Sequence, residues 1–284
     1  VSSSLRRRRL FGLDFIDAPD VSPIAEELLA PPTVAAPWHK VVVTPNVDHL
    51  VRRRRGLPAA VDAVIEHARW VLPDGQPIVA VSRWLGAPLS ARLPGSTLVA
   101  ELWPRLLATG RSVLVVASSP AIAERIASEA PDVTVVVAPM LDPCDPAGIE
   151  AFADTCVAAH PGERPEFVFV TLGLVKQELV IDALLRRWPA DAGASPVLLA
   201  VGASFEMYYG LKARAPQWLQ RAGLEWAFRF VQEPRRLFRR YFIDDVEFIW
   251  LVREERRARR GSAHPGDQAA DPAEDPPREH PAGE

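Results

Sequence analysis

The chain is 284 residues long, 48% apolar and 24% charged, with a formal net charge of −3. That length holds one large or two modest domains and can bury a substantial core. A near-neutral total argues against a dedicated nucleic-acid binder, and two cysteines, Cys144 and Cys156, exclude a disulfide scaffold or a multi-cysteine metal site.

The total conceals a lopsided distribution. Only Lys40, Lys176 and Lys212 are lysines; the other 30 basic residues are arginines, in bursts at 6–9, 52–55 and 229–260. Residues 212–260 hold 13 basic and 7 acidic side chains, a balance of +6, whereas residues 261–284 carry −5. Free thiols suit a reducing cytoplasm. No apolar run approaches the roughly 18 residues that span a bilayer. After the first arginines, Phe11-Gly-Leu-Asp-Phe-Ile-Asp17 is too acidic and too short for a signal-peptide core. The expectation is a soluble or peripheral protein.

In chain order, residues 41–43 are the first continuous apolar run, followed by Thr44-Pro45-Asn46. A helix is predicted over 59–71, then the turn Pro73-Asp74-Gly75-Gln76. A second turn, Arg92-Leu93-Pro94-Gly95-Ser96, leads into a helix over 96–109 with Leu98, Leu102 and Leu106 on one stripe. Strands at 113–117, 133–137, 167–171 and 197–201 then alternate with helices at 121–130, 145–159 and 176–188. Continuous apolarity suits strands covered on both faces, and the alternation reads as βαβ units around a mostly parallel sheet. From Pro216 the pattern turns helical. Trp226 and Phe230, and likewise Arg236 and Arg240, are four apart, so aromatic and basic chemistry separate on helix faces. Beyond Arg260 the Pro/Ala/Asp/Glu-rich tail lacks the apolar surface to offset its ordering entropy. The expected division is an α/β core at 1–215, a basic helical appendage at 216–260 and a disordered acidic tail at 261–284.

Open parallel sheets bind ligands at the carboxyl ends of their strands. The tips there are Thr44-Pro45-Asn46, the stretch from Gly173 through Lys176 to Glu178, and Gly202-Ala-Ser204-Phe-Glu206. Glycine turns opening helices offer free N–H groups and a positive dipole end, which favour a phosphate-bearing ligand. No Walker loop and no G-x-G-x-x-G is present. Asp74, in its turn, can project a carboxylate into the cleft as a general base, with Arg92 beside it. The basic segment suits phosphate recognition by arginine forks or adsorption to an anionic membrane. The six histidines show no metal-ligand spacing and no Asp-X-Asp occurs, so no metal is expected.

The motifs Thr44-Pro45-Asn46, Pro73-Asp74-Gly75, Arg92-Leu-Pro-Gly-Ser96, Gly173 through Glu178 and Gly202-Ala-Ser204-Phe205 stand in the order seen in the WecG/TagA/CpsF glycosyltransferase family. The block Arg214-Ala-Pro-Gln-Trp218, Gly223-Leu-Glu-Trp226, Arg229, Gln232-Glu-Pro234 and Arg236 resembles that family most specifically. The resemblance spans roughly residues 10–250. It implies a Rossmann-like α/β fold and inverting, metal-independent transfer from a UDP-sugar, often UDP-N-acetylmannosamine or its uronic acid, to a sugar on a polyprenyl diphosphate. No cofactor is implied beyond the UDP-sugar donor. It further implies a cytoplasmic enzyme, peripheral at the inner face of the cytoplasmic membrane, in cell-surface polysaccharide or teichoic-acid-type synthesis. Carried over, Asp74 is the base, with Thr44 and Asn46 beside it. Gln177 and Glu178, with the Gly173 and Gly202 turns, hold the donor, and Arg214, Arg229 and Arg236 face diphosphates. Three departures bear on substrate: Gly202-Ala-Ser-Phe-Glu206 stands where relatives commonly have Gly-Gly-Ser-Phe-Asp, Val175 where they often have Pro, and Thr97 where an acidic residue is common. Two other readings stay open here: a nucleotide-dependent oxidoreductase, and a non-catalytic membrane scaffold. Exposed apolar residues on the C-terminal segment would serve either a membrane or a second copy of the chain.

Overall fold

The computed structural model describes residues 5–30, 40–160, 162, 164–188, 196–212 and 245–262. Its centre is an eight-stranded sheet: β1 (Arg7–Leu10), β2 (Leu13–Ile16), β3 (Val41–Val43), β4 (Trp70–Val71), β5 (Val113–Ala117), β6 (Thr134–Val137), β7 (Phe167–Val170) and β8 (Val197–Ala200). The spatial order is β1-β2-β4-β3-β8-β7-β5-β6, and every pairing except β1 with β2 is parallel. The expected α/β class with a mostly parallel sheet is therefore the observed one.

Strands β3, β5, β7 and β8 are buried at every position, as their unbroken apolar runs require. One face of the sheet is covered by α2 (Val47–Arg55), α3 (Ala59–Glu66), α4 (Gln76–Trp84), α7 (Pro146–Ala159), α8 (Lys176–Arg187) and α10 (Asp245–Ser262). The other carries α1 (Ser22–Leu29), α5 (Gly95–Thr109), α6 (Pro120–Glu129) and the short α9 (Ser204–Tyr208). There, Trp103, Phe169 and Phe205 meet edge to face, with centroids 4.9–5.8 Å apart.

Two differences from the sequence reading have physical causes. The helix expected over 59–71 ends at Glu66, because Trp70 and Val71 pair with Val42 and Val43 as β4. Residues 7–16 form a hairpin whose turn, Phe11-Gly12, has positive φ at both positions (52° and 74°), as a two-residue primed turn needs. Charge hid it: three of the four β1 residues are arginines. The remaining predicted elements agree to within a residue or two at their ends, and α5 starts at Gly95 rather than Ser96.

Helix α10 packs on α2 and on the hairpin. Phe248 and Val252 are buried, Arg54 and Arg55 pair with Glu254 and Glu247 at 2.8 Å each, and Arg259 donates to the Arg9 carbonyl. The helices expected from Pro216 and the acidic tail lie, apart from α10, outside the described residues. No described helix is long and apolar enough to cross a membrane. The two lateral edges of the sheet differ: β1 presents arginines, whereas β6 is three valines after Thr134.

Candidate active site

The crossovers bring the carboxyl ends of β3, β4, β7 and β8 side by side, with β5 next to β7. Prolines keep the exits from β3 and β4 extended, and backbone bonds knit them together. Leu72 N–H donates to Val43 O at 2.9 Å, Asp74 N–H to Pro45 O at 3.0 Å, and Leu93 N–H to Pro73 O at 2.8 Å. The segments bearing Thr44 and Asn46, Asp74, and Arg92 are thus one connected rim. Asp74, Arg92 and Asn46 are half-buried within it.

Close packing tightens this rim. A Cβ on Gly95 would lie 3.2 Å from Ser204 Oγ and 3.3 Å from Thr44 Cγ2, so a glycine is what lets α5 start against both tips. Thr44 is buried and donates its hydroxyl to Ala200 O at 3.3 Å; the buried Ser204 hydroxyl donates to Val201 O. Both hydroxyls therefore fasten the turn after β8. Asn46 is the N-cap of α2: its Oδ1 accepts from Asp48 N–H at 3.0 Å, and its N–H lies 3.3 Å from His49 Nδ1.

The donor-side residues of the sequence reading meet at the start of α8. Gly173 is exposed, with open space where a side chain would go, and its carbonyl accepts from Gln177 N–H at 3.1 Å. Lys176 is half-buried at the first turn of the helix. Gln177, buried, accepts from Gly202 N–H at 3.2 Å through Oε1 and donates through Nε2 to Glu178 Oε1 at 2.8 Å. Glu178 is fully buried; its Oε2 accepts from Val175 N–H at 2.7 Å. Burial pushes its carboxyl up to about 7, against the hydrogen bonds from Gln177 and the backbone. Val175 is held at φ 78°, an outlier for a β-branched residue.

Two groups escaped the sequence reading. His49 is buried with Nε2 3.9 Å from Glu178 Oε1, and its only signal was a position three residues after the cap. Ser118, after β5, donates to Glu206 Oε1 at 2.9 Å and through its N–H to Thr171 Oγ1 at 3.0 Å. Glu206 Oε2 is buried with no hydrogen-bond partner among the described residues. Arg214, Arg229 and Arg236 lie outside the described residues. Among the described residues no group of three or more His, Cys, Asp or Glu side chains could hold a metal ion.

Chemically, the carboxyl edge of the sheet offers a half-buried carboxylate (Asp74), an arginine (Arg92) and two helix N-termini (α2 and α8). The family model described as "Glycosyl transferase WecG/TagA/CpsF family" matches residues 8–262, from β1 through α10. The chain belongs to the WecG/TagA/CpsF glycosyltransferase family. It is 29% identical over 211 residues to a Bacillus spizizenii protein, covering 69% of this chain and 73% of that one. A Bacillus subtilis protein is 27% identical over 208 residues, covering 68% and 73%, and a Staphylococcus aureus protein 24% over 180 residues, covering 62% and 66%. All three are named N-acetylglucosaminyldiphosphoundecaprenol N-acetyl-beta-D-mannosaminyltransferase. Membership makes the chain a glycosyltransferase and displaces the oxidoreductase and scaffold readings. Every motif that carried the family resemblance falls within the matched span.

Proposed function

We propose that the protein moves N-acetylmannosamine, or a closely related hexose, from its UDP derivative to a sugar carried on a polyprenyl diphosphate, with inversion at the anomeric carbon. The observation that carries this reading is the Asp74 rim: a half-buried carboxylate whose backbone is bonded to Pro45 and whose neighbour Pro73 is bonded to Leu93. The relatives' shared name supports the sugar and the lipid-linked acceptor.

In this reading Asp74 accepts the proton of the acceptor hydroxyl as its oxygen bonds to the anomeric carbon. The bond from that carbon to the UDP oxygen breaks, and UDP departs with the electron pair. One displacement with one base inverts the configuration. Thr44 and Asn46 stand beside the acceptor, and Gly173, Lys176, Gln177 and Gly202 cradle the donor, with α8 aiming its N-terminus at the diphosphate. Arg92, together with Arg214, Arg229 and Arg236 of the segment outside the described residues, offsets the leaving-group charge in place of a metal.

The basic C-terminal segment, residues 216–260, is proposed to bring this cleft to the inner face of the cytoplasmic membrane. Trp84, Ile249 and Trp250 are about half-exposed, and arginines sit over two of these rings, Arg256 over Trp84 at 3.8 Å and Arg253 over Trp250 at 5.0 Å. Each arginine near an anionic surface contributes about 1 kcal/mol. The deciding experiment is a panel of UDP-sugars with a short-chain polyprenyl-diphosphate acceptor bearing N-acetylglucosamine, read by product mass. Product with none of the UDP-hexoses or UDP-N-acetylhexosamines would sink the reading.

A further inference from the structure

The buried contact between His49 and Glu178 belongs to no step of the chemistry above, yet it joins two elements that must keep register. We propose that His49 and Glu178 are a positioning pair, locking the tip that carries Asn46 to the tip that carries Gln177. The acceptor side and the donor side of the cleft then hold one geometry. The kinetic half of this proposal rests on the glycosyl-transfer reading; the structural half does not.

The chain of contacts is continuous. Asn46 Oδ1 and N–H lie 3.1 and 3.3 Å from His49 Nδ1, His49 Nε2 lies 3.9 Å from Glu178 Oε1, that oxygen accepts from Gln177 Nε2 at 2.8 Å, and Gln177 Oε1 accepts from Gly202 N–H at 3.2 Å. His49, Gln177 and Glu178 are all buried. The link runs from the N-cap of α2, across α8, to the turn after β8.

The charge state of the ring decides how Asn46 is held. A neutral ring protonated at Nε2 accepts the Asn46 N–H at Nδ1 and turns its own N–H toward the carboxylate. A charged ring donates from both nitrogens, so Nδ1–H bonds Asn46 Oδ1 and the Asn46 N–H loses its acceptor. Because burial raises the Glu178 carboxyl to about 7, the charge 3.9 Å from the ring changes near neutrality. The charged groups on the packed elements are otherwise engaged. Asp48 pairs with Arg52, Asp62 and Glu66 of α3 with Arg53, Glu150 and Asp154 of α7 with Arg187, Asp182 with Arg186, and Glu247 and Glu254 of α10 with Arg55 and Arg54. Lys176 starts the helix that carries Glu178, and Asp74 and Arg92 stand on the rim with Asn46.

The test is made on the full chain. The His49 ring is titrated by NMR with labelled histidine, assigned by loss of its signal in His49→Gln. In Glu178→Gln the His49 midpoint falls by about one pH unit, a tenfold loss of proton affinity; an unchanged midpoint overturns the pair. His49→Gln keeps a side chain suited to the capping box but cannot carry charge to Glu178. It is expected to fold with the wild-type melting temperature, bind UDP unchanged, lose about tenfold in kcat and lose the near-neutral limb of the pH profile. Wild-type kcat and pH profile in that variant overturn the positioning role. If the wild-type chain transfers no sugar, the functional reading fails and the titration alone decides the pair.

Discussion

The ring of Phe248 in α10 lies 5.7 Å, centroid to centroid, from that of Phe11 at the turn of the N-terminal hairpin. The two ends of the described chain share one core. Phe11 occupies a backbone region that L side chains rarely adopt (φ 52°), and the contact with Phe248 gives that position a packing role. Phe248→Ala is expected to cost about 3 kcal/mol, measured by denaturant unfolding, with new protease cleavage in α10. Unchanged unfolding and unchanged protease resistance would show that the helix does not depend on this core.

On the proposed mechanism, replacing Asp74 by Asn removes the base without removing a donor ligand. Turnover should fall about a thousandfold while UDP affinity by calorimetry stays within a factor of about three, less than 1 kcal/mol. Turnover at the wild-type rate would remove Asp74 from the mechanism.

Glu178 gives stability a definite pH sign. Its folded value, about 7, lies above the ordinary 4.5, so the folded state binds the proton more tightly. The contribution is fully present below about 4.5 and is lost as pH rises through 7, amounting to about 3 kcal/mol. Glu178→Gln should flatten that slope relative to wild type in urea unfolding at stepped pH. A parallel slope in both proteins would contradict the burial argument. Asp17 acts in the opposite sense. Burial pushes it up, but the Ser90 hydrogen bonds and Arg8 outweigh this, so its stabilisation is lost only as pH falls below the usual carboxylate range.

Gly95→Ala tests the packing of the rim. Alanine at the start of a helix costs nothing in propensity, but its methyl would press on Ser204 Oγ and the Thr44 methyl. A melting temperature near wild type with about tenfold lower kcat is the expected pattern. Equal activity would mean that Thr44 can shift without consequence.

Chelation offers a simple check on how leaving-group charge is met. EDTA should leave the initial rate unchanged, and a strict requirement for added manganese would overturn the arginine-based reading.

Much of this architecture is legible in the chain because burial on both faces leaves an unbroken apolar signature, as in β5, β7 and β8. Two-residue β4 offers too little to see, and its Trp70-Val71 reads as the end of the preceding helix. The hairpin is hidden by arginines whose partners, Asp14 and Asp17 among them, are visible only in space. The turn that carries Asp74, between β4 and α4, is legible from its Pro-Asp-Gly chemistry, whereas His49 and Glu178 are far apart in sequence and meet only when α2 and α8 are placed. The arginines at 52–55 read as a basic burst, and in the fold each is matched by a carboxylate, two of these on α10.

The unequal lateral edges of the sheet have a consequence for handling the protein. Charged side chains on β1 discourage a stray strand from docking there, as arginine-bearing borders generally do. The opposite border, Thr134-Val-Val-Val137, carries no charge and a partly exposed Val137. Self-association during concentration or storage should therefore begin at β6, and Val137→Lys is the substitution that would suppress it while leaving the cleft on the other side of β7 untouched.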